Sequence, residues 1–233
     1  MTATIGAPIV GGARWDPPAA IAVRGTVLIL PGRGEHAGVY DRFGRRIAAD
    51  GYAVRSATPQ TAVDLATGAT GPVVLAGSDT GALHALAVAA AHPSLFAGVV
   101  AAGVPAEDEV DIDWASELEA RTACPTHQAR LTGDTGFQRG ALALPVAPAL
   151  LAPAPVTVPV LVLHGEADTV SPVGSAHRIA AGLPNAELGT VRDGRHDVLN
   201  DATHRTVAAH IVQWLERLRA DAAATPILTV HPH

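Results

Sequence analysis

The chain has 233 residues, of which 48% are hydrophobic and only 3% are aromatic. This length suits one α/β domain or two small ones, and the apolar content is too high for a disordered chain. The core must therefore be built from Val, Leu, Ile and Ala. The formal net charge is −6, whereas nucleic-acid-binding proteins usually carry an excess of basic residues, so we expect no nucleic-acid partner.

Cysteine content and hydropathy bear on the cellular location of the protein. The single cysteine, Cys124, excludes an intrachain disulfide and a multi-cysteine zinc site. The first residues lack the basic start and apolar run of a signal peptide, and no stretch approaches the ~20 uninterrupted apolar residues of a membrane span. We expect a cytoplasmic protein without a membrane span, and no metal or organic cofactor is implied. The oligomeric state stays open.

Strand-like and helix-like segments alternate along most of the chain. Apolar runs that end in glycine or proline predict six strands, over residues 25–31, 52–59, 71–77, 96–105, 158–165 and 186–194. Residues spaced for one helix face predict helices between them, over 38–51, 81–93, 171–184 and 201–220. Such alternation predicts a mostly parallel sheet with helices on both faces. Residues 8–23 are expected to add antiparallel edge strands.

One region breaks this rhythm. From about 105 to 157 the sequence opens with acidic residues, continues with a predicted helix over 114–123 and ends in a proline-rich stretch. We interpret it as a small cap above the sheet, inserted between core segments 1–104 and 158–219. A tail, 220–233, follows the last helix, and disorder and an added strand both stay open for it.

Four loops that follow predicted strands carry the residues with chemical potential. The stretch "VVLAGSDTGALHAL" has the strand, tight turn and helix of a nucleophile elbow, G-x-S-x-G, but Asp79 occupies the serine position. The other loops contribute the glycine-rich segment 31–36, Asp168 and His196. Because the carboxyl ends of parallel strands meet at one edge of a sheet, these loops are expected to lie together.

Three stretches, "LILPGRGEHAGVYDRFGRRIAADGYAV", "VLVLHGEADTVSP" and "DGRHDVLND", together with the elbow, make the chain resemble the α/β-hydrolases. The resemblance is to the monoglyceride lipase and lysophospholipase group, and it covers most of the chain outside 105–157. It implies an α/β-hydrolase fold with Asp168 as the acid and His196 as the base. It also implies an oxyanion hole formed by the backbone N–H groups of Arg33 and Thr80.

The sequence departs from that group in two informative places. Pro31-Gly32 stands where the family has His-Gly, and an aspartate stands at the nucleophile position. Haloalkane dehalogenases and epoxide hydrolases, another branch of this fold, have Gly-x-Asp-x-Gly elbows. Asp79 therefore moves the resemblance toward that branch.

The chemistry of a carboxylate nucleophile restricts the substrate. A carboxylate with an ordinary pKa of about 4 is already ionised at neutral pH. Attack by Asp79 on an ester carbonyl yields a high-energy anhydride, whereas attack on a saturated carbon that bears a leaving group yields a stable alkyl ester. His196, oriented by Asp168, then activates water against that ester.

The residues that usually assist this chemistry are incomplete. Dehalogenases of this fold hold the halide with a tryptophan next to the nucleophile, where this chain has Thr80. Epoxide hydrolases use cap tyrosines, but Tyr40 and Tyr52 both precede the elbow. The cap region offers other candidates to hold a leaving group, and nothing in the sequence selects among them: Trp114, Arg121, Cys124, His127 and Arg130.

The leading hypothesis is a hydrolase of a small, fairly apolar substrate, with Asp79 as nucleophile, His196 as base and Asp168 as acid. One alternative is a serine esterase or lipase scaffold in which Asp79 replaces the serine. Another is a binding protein without catalysis on the same fold. A simpler interpretation of Asp79 alone, as an acidic residue at a helix start, also exists.

Overall fold

The computed structural model describes residues 12–105, 111–151, 155–229 and 231. In these ranges one sheet contains seven strands in the order β1-β3-β2-β4-β5-β6-β7. Strand β1 is antiparallel to β3, and the other neighbours are parallel. The strands are β1 (Arg14–Trp15), β2 (Gly25–Leu30), β3 (Tyr52–Ser56), β4 (Val73–Ser78), β5 (Gly98–Ala102), β6 (Val160–Gly165) and β7 (Ala186–Val191).

Eight α-helices lie in the described ranges. They are α1 (Asp41–Ala49), α2 (Pro59–Thr67), α3 (Thr80–Ala91), α4 (Trp114–Arg121), α5 (Pro125–Gly133), α6 (Pro148–Leu151), α7 (Val173–Ala181) and α8 (His204–Ala220). Short 3-10 helices form at Ala37–Tyr40 and Ala141–Ala143. None of the helices in these ranges combines the length and apolarity required to cross a membrane.

The two faces of the sheet pack against different helices. Strand β2 is buried on both faces, and its successive side chains alternate between them, as the period of a strand requires. Val27 and Ile29 join the cluster that contains residues of α1 and α8. Leu28 and Leu30 join the cluster that contains residues of α2, α3 and α7. Burial on both sides explains why β2 is a continuous apolar run rather than an alternating one.

The predicted parallel sheet is confirmed, and the antiparallel edge is shorter than predicted. Of the predicted edge segment 8–23, only two residues form β1, and positions 8–11 lie outside the described residues. Between β5 and β6 the predicted helix 114–123 appears as α4, but α5 and α6 were not predicted, and α6 lies within the proline-rich stretch. Both begin at a proline, which fits the first turn of a helix because its missing N–H has no partner there. Within 221–229 and 231 no strand forms.

The turn between β4 and α3 depends on two glycines. A Cβ atom on Gly77 would lie 2.1 Å from the carbonyl oxygen of Gly81, and one on Gly81 would lie 2.0 Å from that of Leu30. Both distances are far below van der Waals contact with backbone that cannot move independently. The glycines therefore allow α3 to approach the sheet closely enough to make a sharp turn at Asp79.

We expect Gly81→Ala to lower the free energy of unfolding by about 1–3 kcal/mol or more, as overpacking does in well-packed regions. Gly68→Ala is the control, because a Cβ at that α2 C-cap meets nothing within 4 Å and the backbone φ is −96°. Its effect should stay within about 0.5 kcal/mol. Urea unfolding of both variants measures the difference, and equal stability of the two would contradict the proposed close packing at the elbow.

Candidate active site

Asp79 occupies the tight turn between β4 and α3, at the carboxyl end of the sheet. Its backbone has φ 51° and ψ −127°, a left-handed conformation that is strained for a residue with a side chain. The residue has no exposed surface. A strained, buried polar residue at a strand-to-helix turn is the geometry that a nucleophile elbow produces.

His196 and Asp168 meet Asp79 in one continuous chain of contacts. His196 Nε2 lies 3.2 Å from Asp79 Oδ1, and His196 Nδ1 lies 2.8 Å from Asp168 Oδ2. All three side chains are fully buried. The structure thus brings together the three residues that the sequence predicted, with His196 between Asp79 and Asp168.

The loop after β6 fixes Asp168. Its Oδ1 accepts hydrogen bonds from the backbone N–H groups of Val170 and Ser171, each at 2.9 Å. A second histidine, His164, places its Nε2 3.2 Å from Asp168 Oδ2. With one oxygen fixed by backbone, Asp168 presents the other to His196 in a defined direction.

The loop after β7 that carries His196 is held by the insertion between β5 and β6. The His196 backbone N–H donates to the Ala120 carbonyl at 3.1 Å, and that of Asp197 donates to the Arg121 carbonyl at 2.8 Å. Asp201 accepts from the Arg195 backbone N–H at 2.7 Å. The C-terminal end of α4 therefore determines where the histidine sits.

Arg33 contributes more than the backbone donor that the sequence predicted. Its backbone N–H donates to Asp79 Oδ2 at 2.8 Å. Its guanidinium also donates two hydrogen bonds to the same carboxylate, with Nε 2.9 Å from Oδ2 and Nη2 2.8 Å from Oδ1. Such a fork-to-fork pair combines charge with two directional hydrogen bonds. The arginine side chain was not predicted to reach the site.

Thr80 lies beside the same carboxylate. Its hydroxyl is 3.4 Å from Asp79 Oδ2. Its backbone N–H, at the start of α3, pairs with no backbone acceptor in the described ranges. The role of both backbone groups in an oxyanion hole stays a prediction.

The Arg33 side chain also bridges to the insertion. Its Nη1 donates to the carbonyl of Leu142 at 2.9 Å and to that of Leu144, on and just after the 3-10 helix at Ala141–Ala143. Its own carbonyl accepts from Arg121 Nη2 at 2.7 Å. The arginine is consequently anchored at both ends while its fork covers the Asp79 carboxylate.

Arg121 is the centre of a buried ionic cluster next to the site. Its guanidinium lies 3.0 Å from Glu117, 3.4 Å from Asp197 and 3.5 Å from Glu35. Burial and the nearby Asp197 carboxylate raise the pKa of Glu35 to about 7, even though Arg121 opposes this change. Glu35 Oε2 accepts from the Tyr40 hydroxyl and the Gly32 N–H. The cluster links the loop after β2, which carries Gly32 and Glu35, to α4.

The residues that the sequence offered for holding a leaving group have other partners. Arg121 serves the ionic cluster, His127 lies 3.6 Å from Asp197, and Arg130 donates to the Gly38 carbonyl. The Cys124 sulfur lies 3.4 Å from an Arg42 nitrogen. Trp114 packs against Phe137. None of these five side chains forms a hydrogen bond or an ion pair with Asp79 in the described part of the chain, and the guanidinium that does so is that of Arg33.

Neighbouring charges outweigh burial in setting the pKa values of Asp79, Asp168 and His196. Burial opposes ionisation of Asp79, but hydrogen bonds and charge from His196 and Arg33 outweigh it and hold its pKa well below the ordinary range. The pKa of Asp168 is lowered in the same way, since burial is outweighed by His196 and His164. Burial also opposes the charge of His196, yet the two carboxylates raise its pKa to about 10. At neutral pH the histidine is therefore a cation between two anions.

Solved structures with this architecture are numerous. Monoacylglycerol lipase of Paleococcus ferrophilus superposes with a TM-score of 0.69 and 20% identity, over 89% of this chain and 98% of its own. A soluble variant of monoglyceride lipase from Saccharomyces cerevisiae gives 0.69 and 17%, over 89% and 91%. A thermostable carboxyl esterase from Bacillus coagulans gives 0.70 and 15%, over 88% and 93%.

Comparison by sequence matches a smaller part of the chain than comparison by structure. The TAP-like protein family matches residues 143–226, which include β6, β7 and the loops of Asp168 and His196. No curated protein matches the sequence significantly. The fold comparisons and the sheet order together establish that this chain has the α/β-hydrolase fold.

We expect Asp79→Asn to lower the pKa of His196, because the variant removes one of the two anions that stabilise the imidazolium. An adjacent opposite charge shifts a pKa by about 1–3 pH units, so a decrease in this range should appear in an NMR titration of the histidine ring. Asp16→Asn is the control, since Asp16 is an exposed carboxylate paired with Arg14. An unchanged His196 pKa in Asp79→Asn would contradict the charge coupling described above.

Proposed function

We propose that this chain is a hydrolase that uses Asp79 as a covalent nucleophile on a saturated carbon. The observation that carries the proposal is the orientation of the two carboxylate oxygens. Oδ2 is bonded to the Arg33 backbone N–H, whereas Oδ1 lies toward His196. One oxygen thus lies against a backbone donor, and the other lies on the histidine side, where it attacks once the Arg33 guanidinium has moved away from it.

In the first step, Oδ1 of Asp79 forms a bond to the substrate carbon and the carbon–leaving group bond breaks. The leaving group departs with the bonding pair as an anion. Asp79 becomes a neutral alkyl ester. Because a carboxylate needs no prior deprotonation, this step requires no base.

In the second step, His196 accepts a proton from water, and the water oxygen attacks Cγ of the ester. Negative charge develops on Oδ2, where the backbone N–H groups of Arg33 and Thr80 form the oxyanion hole. The bond from Cγ to Oδ1 then breaks, and the alcohol leaves with Oδ1 and with a proton from His196. Asp79 regains its carboxyl group with one oxygen from water, and the remaining water proton passes from this carboxyl group to His196, which restores the resting charges.

The pKa of His196 links the two steps. A cationic histidine cannot take a proton from water, and the resting pKa of about 10 depends on both neighbouring carboxylates. Esterification of Asp79 removes one of these charges, so the pKa of His196 falls and the proton passes to solvent. The base becomes available when the ester has formed.

We further propose that the insertion between β5 and β6, residues 105–157, acts as the predicted cap above the sheet. It contacts the loop after β2 in two places, because Arg121 donates to the Arg33 carbonyl and the Arg33 side chain donates to the Leu142 carbonyl. Its Ala, Leu and Pro-rich composition supports an apolar wall around a small substrate. A cytoplasmic location remains part of this proposal.

Single turnover in oxygen-18 water tests the covalent mechanism. With enzyme in excess over a bromoalkane, the label should appear in the peptide that contains Asp79, as a mass increase of about 2 Da, while the alcohol stays unlabelled. Direct attack of water gives the opposite distribution, with labelled alcohol and an unlabelled carboxylate. Asp16, an exposed carboxylate, provides the reference peptide that should remain unlabelled in either case.

One observation favours the alternative of an idle aspartate on a serine-hydrolase frame: the Arg33 fork covers Asp79, which has no exposed surface. Ser78 precedes it at the end of β4, but the hydrogen bonds of His196 go to Asp79 and Asp168. The covering of Asp79 by the Arg33 guanidinium is equally compatible with a binding protein that has no catalytic activity.

We expect Asp79→Ser to hydrolyse p-nitrophenyl butyrate no faster than Asp79→Ala, because the guanidinium of Arg33 remains in the space that an ester would occupy. The assay compares the initial rates of the two purified variants. A clear gain of ester hydrolysis with serine would instead identify the chain as a serine-esterase scaffold. A third outcome is that neither the native chain nor the two variants turn over any halide, epoxide or ester tested, while a ligand binds saturably. That outcome would favour a binding protein.

A further inference from the structure

Arg33 gives the site a cation that a triad of Asp79, His196 and Asp168 does not require. The guanidinium makes two parallel hydrogen bonds to a carboxylate, through Nε and Nη2. Its fork is therefore already arranged for a planar group with two anionic oxygens. The present occupant of that fork is the side chain that the proposed reaction must set free.

Exposure identifies Arg33 as a group that a substrate meets before it reaches the nucleophile. Asp79 and His196 have no exposed surface, whereas 12% of the Arg33 side chain is exposed. An incoming molecule can reach Oδ1 of Asp79 only after the fork has moved from it. Attack is blocked while the fork stays, because Oδ1 carries the hydrogen bond from Nη2.

The guanidinium has a separate anchor that does not depend on Asp79. Nη1 donates to the carbonyl oxygens of Leu142 and Leu144. These bonds can hold the cation at the site while Nε and Nη2 change partner. The anchor consists of neutral carbonyls, so it leaves the positive charge of Arg33 uncompensated once the fork leaves Asp79.

Charge balance decides which kind of molecule can displace the fork. With His196 protonated, two cations and two anions balance: Arg33 and His196 against Asp79 and Asp168. A neutral substrate that pushed the fork aside would leave a guanidinium in the site without an anionic partner, which is strongly unfavourable. A substrate with its own carboxylate replaces Asp79 as the partner and leaves the nucleophile with fewer hydrogen bonds.

We propose that Arg33 binds a carboxylate of the substrate, and that the preferred substrates are short carboxylic acids with the leaving group on the adjacent saturated carbon. The inference rests on the proposed function and names its substrate class. It modifies the expectation of a fairly apolar substrate: the Ala, Leu and Pro side chains of the insertion surround the carbon chain, and Arg33 accepts the one charged end. Binding of the substrate and release of Asp79 are then the same exchange of hydrogen bonds.

Two substrates of nearly equal shape test the proposal: 2-bromopropionate and 2-bromopropionamide. They share the carbon skeleton and the bromide, and differ in the negative charge. Because hydrogen bonds to a charged group contribute more than neutral ones, we expect kcat/KM of the native chain to favour the acid by about 10–100-fold. Arg33→Met should reduce this ratio to about one, and Arg33→Lys should give an intermediate ratio, since an ammonium lacks the fork.

The control variant is Arg205→Gln, which removes one positive charge from an exposed position in the first turn of α8. It should retain the native ratio. Equal kcat/KM for acid and amide in the native chain would overturn the proposal. So would a ratio that survives in Arg33→Met, which is the result expected if Arg33 assists only the bromide.

Binding without turnover separates this inference from the proposed function. Calorimetric titration at constant ionic strength should show that propionate binds the native chain, and that propionamide or Arg33→Met gives no comparable binding. If neither bromide is turned over but this pattern holds, the carboxylate site stands and the proposed function fails. If the amide is turned over with label on Asp79 but propionate does not bind, the proposed function stands and the carboxylate site fails.

Discussion

The buried charge of Asp79 is the constraint on which the rest of the site depends. An ionised carboxylate without exposed surface costs several kcal/mol unless charged partners and hydrogen bonds offset the cost. Here Arg33 supplies three N–H groups and His196 supplies a fourth. Each cation then needs its own support, from Asp168 and from the carbonyls of the insertion. One buried charge thus organises the loops after four strands.

The same requirement attaches the insertion to the sheet. Arg121 of α4 is fully buried and reaches the Arg33 carbonyl and Asp197, while Asp201 accepts from the Thr122 hydroxyl at 2.9 Å. Buried polar contacts are directional, so they set the position of α4 more narrowly than apolar packing does. On the other side, the Arg33 side chain itself holds the segment around Leu142. The residue that covers the nucleophile position therefore also holds the insertion in place.

Sequence reasoning succeeded where the signal was local and failed where it depended on tertiary contacts. Continuous apolar runs such as β2 show their burial directly, and the order of Asp79, Asp168 and His196 in loops after strands placed them at one edge. The Arg33 side chain carries no such signal, because its partner is distant in sequence. Arg121 reads as an ordinary helix residue spaced four from Glu117, and only the fold buries the pair.

A carboxylate at the elbow changes the order in which the other residues can act. A serine there carries no charge, so its histidine must be neutral from the start and must remove a proton before attack. With Asp79, two carboxylates, first Asp168 and then Asp79, raise the pKa of the histidine and hold it as a cation, and a cationic histidine cannot activate water. In the proposed reaction, neutralisation of Asp79 by the substrate carbon removes this restraint. The nucleophile would then control the base, and water would be activated only when an ester is present to receive it.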